Sequence, residues 1–371
     1  MVGVNSIKRR VAYFVSPHGF GHAARASGVM AALHRIDPSI HFEVFTKVPA
    51  WFFRESLSGP FEYHSLVTDI GLVQETPLHA DLAKTVQQLN RFLPFKSSRI
   101  KGLAREIIRS KCQLVVCDIS PMGIAVAEEA GLPSLLVENF TWDWVYREYI
   151  SSDHRLGDYI AYLRKLFDAA DYHIQTEPVC GKSSKADLVT LPVSRGVRSS
   201  PGDIRKRLGV SPTTRLIMIT MGGIPERNES LRELTIHEDI CFVIPGGSDS
   251  KEILDNLIFL PHHSKFFHPD LINASDAVVG KVGYSTLAEV YHGGAPFGYI
   301  KRPHFQESEI LAAYIQKHMN GIAIAEKEFK EGTWVSHLSE LLALSGIRRR
   351  GPNGAEQVAR FVHELMVSPQ F

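Results

Sequence analysis

Residues 11–46 read VAYFVSPHGFGHAARASGVMAALHRIDPSIHFEVFT. The apolar run from Val11 to Ser16 predicts a strand, and it opens onto the loop PHGFGH, which carries two glycines. The helical pattern that follows puts Ala26, Val29, Met30, Leu33 and Ile36 on one face. Pro38 stops it, because the residue before a proline is pushed out of the helical region. A second strand is expected at His41 to Thr46. Strand, loop, helix and strand in so short a stretch make a βαβ unit, with the loop at the carboxyl end of its first strand.

The same order returns at Gln113 to Cys117, where LVVC leads into DISPMG, then a helix GIAVAEEAG and a short strand, Ser134 to Val137. Two such units predict a parallel sheet. From Leu191 the text changes to LPVSRGVRSSPGDIRKRLGVSPTT, rich in Pro, Gly, Ser and Arg, which is the composition of a linker. A second series of strands then starts. Leu216 to Thr220 opens onto MGGIP, Cys241 to Ile244 onto PGGSD, Ala277 to Val279 onto GKVGYST, and Pro296 to Ile300 onto KRPHF. The expected class is therefore α/β, with two doubly wound, Rossmann-like domains. They are expected over 1–190 and 213–350, joined by a linker over 191–212. A closing helix in 351–371, with Ala355, Val358, Phe361, Val362 and Leu365 at helical spacing, can pack back on the N-terminal domain.

A length of 371 residues fits two such domains, and 44% hydrophobic with 22% charged residues fits a well-cored soluble protein. With 41 Lys+Arg against 40 Asp+Glu, the net charge of +1 supplies no field to hold a phosphate polymer, so nucleic-acid binding is not expected. Cys112, Cys117, Cys180 and Cys241 form no CxxC pair, which points away from zinc and disulfides and towards a reducing cytoplasm. The N-terminus runs straight into strand-like sequence without a secretory signal core, and no stretch reaches about 18 uncharged apolar residues. No transmembrane segment is expected, which leaves peripheral membrane association open.

Ligands of open α/β sheets collect beyond the carboxyl ends of the strands. In that position Gly19 and Gly21 let the backbone approach a ligand, and His22 lies at or near the helix start. An imidazole there suits proton abstraction from a hydroxyl; a loop histidine with a purely local partner is the alternative for His18 and His22. Asp118 ends its strand on the same edge, where a carboxylate behind an imidazole fixes its tautomer. It can equally cap the helix entered through Ser120 and Pro121.

In the second half GKVGYSTLAE, Gly280 to Glu289, combines Lys281, a turn at Gly283, and Ser285 and Thr286 to cap a helix whose free N–H groups suit a diphosphate. Glu289, one to two turns in, can reach a ribose, or it is a surface residue of a plain capped helix. Gly222, Gly223, Gly246 and Gly247 supply further small-residue turns on the presumed same edge. The basic stretch Arg205, Lys206, Arg207 and the run QTEPVC take the bland reading, the former as a solvated face.

With HGFGHAAR, DIGLVQ (69–74), VCDISP, ENFTWDWVYREY (138–149), GGIP, GKVGYSTLAE and FQE (305–307) in place, the chain resembles the GT-B glycosyltransferases nearly end to end. It is similar to the lipid II-forming N-acetylglucosaminyltransferases and, more so, to the N-terminal, transferase-like region of plant arabinokinases. The resemblance implies two domains facing a cleft, with an acceptor on the N-terminal one and a UDP-sugar, as donor co-substrate, on the C-terminal one. It implies His22 as base with Asp118 orienting it, Glu289 on the ribose, and Gly283 and Thr286 at the phosphates. Glu307, with Gln306 and Glu309, stands where the cell-wall enzymes have paired glutamines near the sugar, so the donor sugar is left open. The expected activity is metal-independent, inverting hexosyl or acetylhexosaminyl transfer to a hydroxyl acceptor, with no permanently bound cofactor and no metal site. The galactokinase-like half of arabinokinases has no counterpart here, so sugar kinase activity is not expected. A non-catalytic nucleotide-sugar binding or regulatory module, or an epimerase or hydrolase on the same fold, is the alternative.

Overall fold

The structure is a computed structural model and describes residues 9–221 and 229–368. It divides into two compact units. The first comprises the chain up to Val73, Asp81–Arg195 and the stretch from Pro352; the second comprises Gln74–Ala80 and Gly196–Gly351.

Seven strands build the sheet of the first unit: β1 (Arg10–Val15), β2 (His41–Thr46), β3 (Phe61–Ser65), β4 (Leu114–Asp118), β5 (Ser134–Glu138), β6 (Tyr172–Thr176) and β7 (Leu188–Thr190). Their order is β3-β2-β1-β4-β5-β6-β7 and every pairing is parallel. Crossovers run through α1 (Gly21–Ile36), α2 (Ala50–Ser56), α3 (Leu82–Phe92), α4 (Ser97–Arg109), α5 (Pro121–Ala130), α6 (Trp142–Tyr146) and α7 (Leu156–Phe167). Both β4 and β5 are buried along their whole length, as expected of central parallel strands covered on both faces. The chain winds outward from β1 to β3 and then, from β4, in the other direction. That reversal places the switch point, and the crevice it opens, between β1 and β4.

The second unit repeats the plan with α8 (Pro201–Leu208), β8 (Arg215–Thr220), β9 (Ile240–Pro245), β10 (Glu252–Leu254), β11 (Leu257–Leu260), α9 (His268–Ala274), β12 (Ala277–Lys281), α10 (Tyr284–Gly293), β13 (Phe297–Ile300), α11 (Gln306–His318), β14 (Gly321–Ile324), α12 (Glu326–Glu331) and α13 (Leu338–Ala343). The sheet order is β10-β11-β9-β8-β12-β13-β14, parallel except for the edge pair of β10 with β11. Its switch point lies between β8 and β12.

Part of the expected linker is structured. The division falls after Arg195, and residues 201–208 form α8, whose Ile204 and Leu208 are buried in the core of the second unit with Leu216, Val278 and Leu287. Arg205, expected on a solvated face, instead donates to the carbonyls of Ala274 and Thr214 and pairs with Asp276 at 2.7 Å. A segment far from either expected boundary, Gln74–Ala80, also belongs to the second unit: Leu78 joins a core cluster with Ile217 and Trp334, and His79 Nε2 lies 2.8 Å from Glu326 Oε1. The closing helix, α14 (Gly354–Val367), belongs to the first unit. The Asn353 side chain caps it by accepting from Ala355 N, while Gln357 Oε1 accepts from Leu191 N at 2.8 Å.

Candidate active site

The β1 strand ends at Val15, which is paired in register with Asp118 at the end of β4, so the loop Ser16 to Phe20 and Asp118 share one edge. Gly19 takes φ +72°, a backbone region that costs a glycine nothing, and α1 starts at Gly21. His22 is therefore the second residue of the helix. Its Nδ1 lies 2.9 Å from Asp118 Oδ1, across 96 positions of sequence.

Asp118 has a second partner that the sequence reading passed over. Arg25, one helical turn after His22, donates from Nε to Asp118 Oδ2 at 2.8 Å and from NH2 to Oδ1 at 2.7 Å. Its remaining arm donates to Asn139 Oδ1 at 2.7 Å. All of this is buried: Asp118 and Asn139 are 0% exposed, Arg25 1% and His22 8%. Burial by itself would raise the Asp118 carboxyl, but the Arg25 charge and the hydrogen bonds from Arg25 and His22 hold it below its ordinary value. Burial lowers the His22 imidazole, and Arg25 adds to that, against the opposing pull of Asp118.

At neutral pH these directions give an ionised Asp118 and a neutral His22. An ionised carboxylate only accepts, so Nδ1 of His22 carries the ring proton and Nε2 is left as the basic atom. The NH2 of Arg25 approaches Nδ1 at 3.3 Å because both donors converge on one carboxylate oxygen. The ring stands edge-on to Phe140 at 5.9 Å and beside Trp142 at 6.3 Å. His18 is engaged elsewhere, with Nε2 2.9 Å from the Leu72 carbonyl.

Asp69, from the DIGLVQ motif, sits behind this loop. Ser16 Oγ donates to its Oδ1 at 2.9 Å, whereas Oδ2 is buried and closes no hydrogen bond of good geometry. Burial pushes the Asp69 carboxyl up to about 8, against the pull of Ser16 and Trp142. Between pH ~4, where an unfolded Asp titrates, and about 8, the unfolded chain therefore releases a proton that the folded chain keeps. Stability owed to Asp69 falls across that window as pH rises and is level above it. Asp69→Asn should remove the slope, so that urea midpoints of wild type and variant diverge in the variant's favour from pH 5 to pH 8. Parallel profiles would show that Asp69 is ionised throughout.

In the second unit the corresponding edge gathers Thr220, Lys281 and the start of α10. The N-cap of α10 is Gly283, which has no side chain to cap with, so Ser285 and Thr286 lie inside the first turn rather than capping it as expected. No acidic residue occupies that turn, which suits an anion at its N–H groups. Glu289 is 5% exposed rather than on the surface, and its Oε2 lies 2.7 Å from His268 Nδ1, while His268 Nε2 lies 3.4 Å from Thr220 Oγ1. Sequence reading did not single out His268, the first residue of α9.

Lys281 closes β12, and burial together with the Arg302 charge brings its ammonium down to about 7, against the pull of Glu307. Glu307 is 6% exposed in the first turn of α11. Gly246 takes φ +78° after β9, and the His262 ring fills the place of a Cβ there. Gly222 and Gly223 lie outside the described residues. Among the described residues no group of three or more His, Cys, Asp and Glu side chains is placed to hold a metal ion, and no helix is long and apolar enough to cross a membrane.

No family model matches the chain. The calicheamicin glycosyltransferase CalG4 superposes with a TM-score of 0.63 over 98% of this chain and 100% of that one, at 14% identity. The chain has the GT-B glycosyltransferase fold. Among curated proteins, this GT-B chain is similar to L-arabinokinase of Arabidopsis thaliana, 26% identical over 360 residues, which is 96% of this chain and 34% of that protein. It is also similar to the UDP-N-acetylglucosamine–N-acetylmuramyl-(pentapeptide) pyrophosphoryl-undecaprenol N-acetylglucosamine transferase of Bacillus pumilus, 24% identical over 189 residues, 47% of this chain and 50% of that one. The GT-B chain thus spans about a third of the first relative's length, and its match to the second covers half of that protein.

Proposed function

We propose that the chain is a UDP-sugar-dependent glycosyltransferase that inverts the anomeric centre and needs no protein-bound metal, with the acceptor on the first unit and the donor on the second. The observation that carries this reading is the buried His22–Asp118 pair, an ionised carboxylate behind a neutral, tautomer-fixed imidazole, at the switch point of a GT-B sheet. The names of the fold neighbour and of the Bacillus relative support glycosyl transfer, and the latter supports UDP.

In this mechanism Nε2 of His22 takes the proton of an acceptor hydroxyl as its oxygen bonds to the anomeric carbon. The bond from that carbon to the diphosphate oxygen breaks with its electron pair, in a single displacement. Asp118 stabilises the imidazolium so formed, and Arg25 keeps Asp118 ionised and aimed. The leaving UDP is received at the N–H groups of Gly283 to Thr286 and by Lys281. An arriving diphosphate favours the charged form of that lysine.

Glu289 is assigned to the ribose, with His268 orienting its carboxylate. Glu289→Ala should weaken UDP binding by roughly 2 to 4 kcal/mol, the loss of two charge-assisted hydrogen bonds, without unfolding the chain. Calorimetric titration with UDP is the check, and unchanged affinity would remove Glu289 from the site. A binding or regulatory module would take UDP-sugar without turning it over, and an epimerase would return an isomerised donor.

A further inference from the structure

The first unit holds a polar cavity, of about 590 Å³, on the face of its sheet away from Asp118. Register fixes the face. Asp118 is paired with Val137, and side chains alternate along a strand, so Leu136 and Glu138 point to the opposite side. Leu136 is paired with His173 and Glu138 with Gln175; of these, Leu136, Glu138 and His173 line the cavity, and Gln175 lies beside Glu138. The cavity is lined further by Phe140, Trp144 and Phe167 and by the loop from Gly181 to Asp187.

Glu138 is the unusual group. It is 2% exposed, and its Oε1 lies 2.8 Å from His173 Nε2 and accepts from Gln175 Nε2 at 2.7 Å, while Oε2 is buried with no hydrogen-bond partner. A carboxylate oxygen taken out of water without a donor is costly, and an orphan of this kind calls for an explanation. The surroundings are organised around it. The Gln175 amide also donates to the Gly181 carbonyl at 2.7 Å and accepts from Ser183 N at 2.9 Å, so the loop is tied to the same Glu138. Gly181 lies against Trp144, where a Cβ would stand 3.2 Å from the indole.

That loop carries Lys182 and Lys185, which make no ion pair with any described residue. The acids of the cavity are mostly engaged: Asp143 by Arg147, Asp171 by Ser134, and Asp187 by the His173 amide; only Asp168, at the end of α7, is not. A ligand suited to this lining brings hydroxyl donors for Glu138, an apolar ring face for the aromatic walls, and negative charge for the two lysines.

We propose that this cavity is a binding site for an anionic saccharide, a sugar phosphate or a uronate. The proposal stands apart from the transferase reading, since apart from Phe140, whose ring also stands edge-on to His22, none of these residues belongs to the His22 site or to the UDP site. The test is calorimetric titration of the full chain with glucose 6-phosphate, glucuronate, glucose and ethanolamine. Saturable binding of an anionic sugar is expected, weakened about tenfold or more in Glu138→Gln and in the double variant Lys182→Ser/Lys185→Ser, with UDP affinity unchanged in both. Which anionic sugar binds more tightly separates the phosphate from the carboxylate source. Neutral glucose should bind more weakly and be indifferent to the lysines. The double variant changes only exposed side chains, so it decides the matter if Glu138→Gln does not fold. No saturable binding at tens of millimolar, affinities unmoved in the variants that fold, or tighter binding of ethanolamine than of any sugar would overturn it.

Discussion

His22→Ala is expected to lower turnover by about 10² to 10⁴-fold with UDP-sugar affinity little changed, the range of a positioned proton acceptor. The reason lies in the partition of the site. His22 is in the first unit, whereas Lys281, Gly283 and Glu289, to which donor binding is assigned, are in the second. Asp118→Asn should cost a comparable or smaller factor, because a neutral amide can accept from Nδ1 but cannot stabilise an imidazolium. The double variant should lose less than the product of the two, since a base without its orienter is already impaired. Multiplicative losses, measured as kcat under saturating donor, would instead assign them independent roles.

Arg25→Met carries the largest expected stability effect, a loss of about 3 to 5 kcal/mol, because it strands a fully buried carboxylate. The pH dependence distinguishes this cause from simple mispacking. In the wild type the Asp118 carboxyl is held below its ordinary value, so its contribution is complete above pH ~4 and is lost as pH falls through the folded value. Without Arg25 the burial is opposed by the His22 hydrogen bond alone and raises the Asp118 carboxyl. The variant's folded state then retains a proton that its unfolded chain releases, and its stability falls as pH rises above ~4. The gap between the two proteins should therefore widen from pH 4.5 to 7.5 in urea denaturation. Adding Asp118→Asn should recover part of the loss by removing the stranded charge. A gap independent of pH would mean that Arg25 acts through packing alone.

The βαβ unit at residues 11–46 was legible because its strands are continuous apolar runs and its helix stops at a proline. In the structure the helix ends at Ile36 and the second strand spans His41–Thr46, as read. Asp118 could be placed at a strand end, and His22 and Gly283 at the start of the helix that follows one, for the same reason. The Arg25 role was not legible, since an arginine three residues after His22 reads as surface unless the helix face is known to be buried. Only its spacing, shared with small residues Ala23, Ala24, Ala26, Ser27 and Gly28, hinted that this face is packed. The α8 helix was hidden by its own composition: Arg205, Lys206 and Arg207 dominate a short segment in which only Ile204 and Leu208 are buried. The move of Gln74–Ala80 into the second unit rests largely on Leu78, and a single apolar residue in a loop has no periodicity to betray it. Glu138 and Gln175 lie in motifs that could be quoted from the sequence, yet their partnership depends on the register of β5 against β6.

The most direct test of glycosyl transfer is UDP release from a panel of UDP-sugars mixed with hydroxyl acceptors, compared between the wild type and His22→Ala. The expected result is release by the wild type with the sugar recovered on an acceptor, and release reduced by at least about 10²-fold in a variant that still binds UDP. Tight UDP-sugar binding without release, an isomerised donor, or equal release by the two proteins would contradict it.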